Sequence, residues 1–158
     1  MKRVLALLFS VVPWLAAADS SVPKVFGGGT VAEVLWVRLD KGDLVLESLQ
    51  KFVDERKIRD GSVLWAVGSL ETCRFHGVNG TMTTVEEAVE LLQLSGLVAD
   101  GKPHLHIVVS NKARGAFGGH LEQGCKVLSQ VEIGIARFGG VEMTRNSRGG
   151  GPSALQKK

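Results

Sequence analysis

Twenty glycines against only four prolines cut this chain into short apolar runs. Glycine supplies the positive-φ conformations that tight turns need, and a run without proline keeps every amide free for a ladder. Most runs have the length and period of strands. Leu105, Ile107 and Val109 alternate with His104, His106 and Val108, a period of two. Val127 to Phe138 places Val131, Ile133 and Ile135 on one face. Val31 to Leu39, rich in Val, Leu and Trp, suits a strand buried on both faces or a first β-element. Ser62 to Gly68 reads as a central strand and Glu71 to Gly77 as a more polar one, with Asn79-Gly80 a turn after it. Val85 to Leu94 mixes helix and strand signals, and strand prevails from Val89 onward. Asp100-Gly101-Lys102-Pro103 is another turn, and Ala113 to Leu121 a strand interrupted by Gly118-Gly119. Helical spacing occurs once: after Lys41-Gly42-Asp43, with Asp43 as N-cap, Val45, Leu49, Phe52 and Val53 share a face up to about Lys57. Six or seven strands and one confident helix predict an α+β domain built on an antiparallel sheet.

At 158 residues, 44% apolar and 22% charged, the chain supports one packed domain. Its two cysteines can make neither a disulfide framework nor a four-cysteine zinc site, and nothing in their spacing says whether Cys73 and Cys125 meet. A multidomain enzyme, a collagen-like chain and a multispanning membrane protein are excluded. Lys2-Arg3, an apolar run from Val4 to Leu15 and Ala16-Ala17-Ala18 read as a signal peptide over residues 1–18, with Asp19 the first mature residue. A 12-residue run is short of the about 20 a membrane span needs. The expected product is therefore periplasmic or secreted. Losing Lys2 and Arg3 lowers the 19 basic residues to 17 against 16 acidic, so the net charge falls from +3 to +1. So weak a bias makes nucleic acid an unexpected partner. After a lead-in over 19–30 and a domain over 31–141, residues 142–158 read as a flexible basic tail holding Arg145, Arg148, Lys157 and Lys158.

His104 and His106 carry the chemistry. Two residues apart in a strand, they lie roughly 6.5 Å apart on one face and can converge on one ion. His120 could close a three-histidine face if the intervening segment is a hairpin, and Glu122 could be a fourth ligand or an acceptor that fixes an imidazole tautomer. Ordinary polar residues on a solvent-facing strand are the alternative. For Gly118-Gly119 it is a β-bulge or a close crossing of another backbone. His76 reads as a surface strand residue apart from the others. There is no G-x-S-x-G, P-loop or dinucleotide fingerprint.

Several motifs occur in a telling order: Arg38-Leu39-Asp40-Lys41-Gly42-Asp43, Gly68-Ser69-Leu70, Glu90-Leu91-Leu92-Gln93-Leu94-Ser95-Gly96, Asp100-Gly101-Lys102-Pro103-His104-Leu105-His106 and Gly118-Gly119-His120-Leu121-Glu122-Gln123-Gly124-Cys125. From about Val31 to Val141 the chain resembles the plant and prokaryote conserved (PPC) domain. The resemblance implies an antiparallel sheet with flanking helices and a homotrimer. It also implies that His104, His106 and His120 occupy the family's histidine positions, where a metal can bind. The three imidazoles with an open fourth position themselves suggest a divalent metal, zinc, with a small ligand or water there. Family members are also described as DNA-associated regulators, which is the alternative function. Against it, Arg148-Gly149-Gly150-Gly151-Pro152 lacks the second arginine of an AT-hook, and export would separate the chain from chromosomal DNA.

Overall fold

The structure, a computed structural model, describes residues 23–25, 27–147 and 153–158. The expected signal peptide lies outside them. In chain order the elements are β1 (Thr30–Asp40), α1 (Val45–Glu55), β2 (Gly61–His76), β3 (Met82–Val85), β4 (Val89–Ala99), β5 (Lys102–Asn111), β6 (Gly115–Leu121), β7 (Lys126–Gly139), β8 (Met143–Ser147) and β9 (Ser153–Lys157). All ladders are antiparallel. The main sheet runs β1-β7-β2-β4-β5-β6, with β3 on the end of β2. The α+β antiparallel class is therefore as expected, but only one helix stands beside the sheet among the described residues. None of their helices is long and apolar enough to cross a membrane.

The helix forms where the apolar spacing places it. Val45, Leu49 and Val53 are buried in one core cluster with strand residues that include Leu70, Leu105 and Ile133. Each such side chain contributes about 2 kcal/mol through burial. Its start differs from expectation. The N-cap is Leu44, without a side-chain cap, and the Asp43 carboxylate accepts the Asp40 amide at 2.9 Å instead. Asp43 thus closes the preceding turn rather than the helix. The helix stops at Arg56 because Lys57 takes a left-handed φ of 53°.

Three further expectations change. The segments Ser62 to Gly68 and Glu71 to Gly77 are not separate strands: β2 runs 16 residues through both, bending where Gly68 takes φ 151° and the register against β7 shifts. Strand β1 is not buried on both faces. It lies at the sheet edge, with Val31 and Trp36 59% and 74% exposed. From residue 142 on, where a flexible tail is expected, β8 and β9 pair. The buried Asp60 carboxylate accepts the Met143 amide at 2.9 Å, and the Lys158 ammonium meets Asp100 at 2.8 Å.

Strand β6 pairs with β5 on one side and with the last two residues of β2 on the other. The four strands β2, β4, β5 and β6 therefore close into a ring. Closure demands close backbone contact, and Gly118-Gly119 supplies it. A Cβ on Gly118 would overlap the Ile107 carbonyl, and one on Gly119 would overlap the His76 carbonyl. The pair is a close crossing of backbones, one of the two structural explanations open from sequence. Gly118→Val or Gly119→Val is expected to cost about 3 kcal/mol, read as a lower midpoint in urea denaturation, whereas Gly28→Ala, whose Cβ meets nothing and whose backbone is not left-handed, should cost far less.

Candidate metal centre

Strand β5 buries Leu105, Ile107 and Val109, so its alternate residues turn away from the core. His104 and His106 take that other face. His106 pairs directly with His120 of β6, and His120 pairs on its other flank with His76 of β2. The ring therefore brings together all four histidines of the chain. They line one cavity of about 380 Å³, together with Val78, Gly77 and the Gly118-Gly119 backbone. His120 is central, with ring centroids 4.7 Å from His104, 5.5 Å from His106 and 4.6 Å from His76.

One nitrogen from each of His104, His106 and His120 lies within 4.8 Å of the others. Ligands at 2.0–2.1 Å from a tetrahedral ion sit roughly 3.4 Å apart. Modest ring rotations would close that gap. The three donors are half-buried, exposed and half-buried in chain order, which leaves the site open on the His106 side. Three neutral nitrogens with an open side suit zinc or a similar divalent ion.

Glu122 stands apart from this triad. Its Oε1 lies 2.7 Å from Nδ1 of His76. With the carboxylate ionised, Nδ1–H donates and the His76 tautomer is set with Nε2 unprotonated. Of the two roles open from sequence, Glu122 thus takes that of tautomer-fixing acceptor, on the histidine that sequence reasoning set aside. His76 and Glu122 are each 31% exposed, so His76 is a half-buried strand residue at the cavity wall, outside the three-histidine group. The missing signal was long-range: the contact joins residues 46 apart, and only the β2–β6 ladder creates it.

The electrostatics favour the neutral form of His104 and His120. Burial above all, then the positive charge of Arg145 and the neighbouring imidazoles, push His104 down to about 4 from 6.5. His120 is lowered as well, chiefly by burial and then by His76, with Glu122 opposing. A neutral imidazole offers a metal its lone pair without first losing a proton. Arg145 comes from β8. It donates from Nη2 to the Ser153 carbonyl at 3.1 Å, while its Nε is enclosed without a partner. No carboxylate among the described residues pairs with it.

The family model of the Plants and Prokaryotes Conserved (PCC) domain matches residues 26–139. The chain belongs to this family. It is the PPC domain under another abbreviation, and the resemblance read from the ordered motifs is correct. The chain is 32% identical over 125 residues to the bifunctional protein GlmU of Synechococcus sp. (strain JA-3-3Ab). That match takes in 78% of this chain but only 20% of the relative, so the chain spans about a fifth of the relative's length. A metal-containing protein from Archaeoglobus fulgidus superposes with a TM-score of 0.66 at 24% identity, covering 79% of this chain and 94% of that one. A protein of suspected DNA binding from Bacteroides thetaiotaomicron superposes with a TM-score of 0.69 at 18% identity, covering 81% and 94%. At these identities the likeness establishes the fold.

The lowered histidines also predict how stability responds to pH. Between about 4 and 6.5 the unfolded chain takes up a proton at residue 104 that the folded chain refuses. Acidification through that window therefore favours unfolding. The melting temperature of metal-free protein is expected to fall across it, and His104→Ala should flatten that dependence.

Proposed function

We propose that this PPC-family protein is an exported, homotrimeric binding module in which His104, His106 and His120 hold a divalent cation, zinc, for a small ligand. The observation that carries this reading is the convergence of three imidazole nitrogens within 4.8 Å in an open cavity. The metal-containing relative of the same fold supports it. Bound there, the ion would supply a Lewis acid at its open position. The chain's own residues do the rest. His104 and His120 stay deprotonated near neutral pH, Glu122 orients His76 beside His120, and Arg145 leaves positive charge unneutralised nearby. Uncharged ligands and an unpaired guanidinium favour an anionic small molecule.

The trimer rests on the resemblance and on the exposed outer face of the sheet. Trp36 leans on Trp65 with ring centroids 5.6 Å apart, and Val34, Leu64 and Val67 are exposed beyond them. Contiguous exposed apolar side chains of this kind suit an interface. Export rests on the Lys2-Arg3, apolar and Ala16-Ala17-Ala18 pattern. The DNA-associated alternative draws on relatives of suspected DNA binding and on the basic C-terminal residues. Of those residues, Lys158 is engaged by Asp100, and the charge of Arg145 is directed at His104 beside the cavity, so the two form no common basic surface for phosphates.

Elemental analysis and zinc titration of the full chain test the metal reading. One ion per chain is expected, and His104→Ala/His106→Ala should weaken binding roughly 100-fold or more. Glu122→Gln should keep the stoichiometry, because its carboxylate acts on His76. Folded protein that ignores added zinc would end the proposal. Trp36→Glu is expected to convert trimer to monomer in analytical ultracentrifugation, and amino-terminal sequencing of protein from its native compartment should begin at Asp19.

A further inference from the structure

Cys73 and Cys125 are free, fully buried, and have sulfurs 3.7 Å apart. Cys73 lies on β2, and Cys125 directly precedes β7. Thr72 pairs with Lys126, so continuing that antiparallel register puts Cys73 across from Cys125. The Arg74 amide donates to Cys125 Sγ at 3.0 Å. Neither thiol touches the histidine cavity, so the metal reading makes no use of them. We propose that Cys73 and Cys125 are an oxidisable pair that closes into a cross-strand disulfide by exchange with a small-molecule or protein disulfide.

The step balances without a metal or oxygen. Cys125, as thiolate, attacks one sulfur of the oxidant disulfide and releases its other half as a thiolate. Cys73 then gives up its proton and attacks Cys125 Sγ, breaking the mixed disulfide and expelling the second half. Two protein thiols are oxidised to one disulfide, and the oxidant is reduced to two thiols. The roles follow from the surroundings. The contact with Cys73, opposed by burial and assisted by the Arg74 amide, lowers the Cys125 thiol, while the same contact and burial raise Cys73. The sulfurs must approach from 3.7 Å to about 2.05 Å, a movement that side-chain rotation in a cross-strand pair can supply.

Position gives the bond a consequence. His76 lies three residues after Cys73, Glu122 three before Cys125, and the two are joined at 2.7 Å. The Glu122 amide also donates to the Arg74 carbonyl at 3.0 Å. A disulfide here would staple the end of β2 to the β6–β7 turn beneath that wall of the histidine cavity. It would close a loop between residues 52 apart, restricting the unfolded chain. Because both sulfurs are buried, exchange should be slow in the native protein and fast during refolding.

The test refolds the full chain with oxidised glutathione in the presence of a chelator. Expected are an intact mass lower by about 2 Da with no glutathione adduct, no maleimide-reactive thiol after denaturation, and a melting temperature higher by roughly 5–10 °C. Reductant should reverse all three. Cys73→Ala should trap a glutathione adduct on Cys125 and lose the redox-dependent melting shift. The His104→Ala/His106→Ala protein should still close the bond, which separates this proposal from the metal reading. Wild-type protein that keeps two reactive thiols after refolding, or forms only adducts or intermolecular dimers, would overturn it.

Discussion

Strand β6 lies between β5 and β2 because two of its residues have no side chain. A β-carbon on Gly118 or Gly119 would collide with the carbonyl of Ile107 or His76, so backbones can approach this closely only at glycine. That contact closes β2, β4, β5 and β6 into a ring and sets His120 between His106 and His76. Without the β2–β6 contact the β5–β6 ladder would still hold His104, His106 and His120 together, and His76 alone would part from them. The folding constraint and the candidate chemistry therefore meet at the same two glycines.

The cluster is built for neutral nitrogen. Burial and the proximity of the other imidazoles oppose charge on His104 and His120. Among the described residues the one carboxylate hydrogen-bonded to the cluster serves His76, so the three remaining donors would meet a cation without a formal countercharge. Arg145 adds to that imbalance from β8, beyond the residues 26–139 matched by the family model. Positive charge near the cavity thus comes from a hairpin beyond the matched family domain. This supports an anionic ligand over a neutral one.

Family membership defines architecture more firmly than activity. The same fold supports a metal-containing protein and others suspected of binding DNA. What separates the readings is the site itself: converged imidazoles on one side, a thin and partly engaged set of basic residues on the other.

Local pattern by itself determined most strands of the main sheet, the single amphipathic helix and the shared face of His104 and His106, because side-chain direction repeats every two or 3.6 residues and is written in neighbouring positions. The ordered motifs were likewise enough to reach the family. Gly118-Gly119 was legible as a possible crossing, although not which backbone would cross. Tertiary structure alone decided that β2 is continuous through Gly68 and that His76 and Glu122 belong beside His120. Each of those depends on pairing between residues whose approach is set by how the whole sheet closes. No local periodicity encodes such a contact, because its energy exists only once distant strands have met.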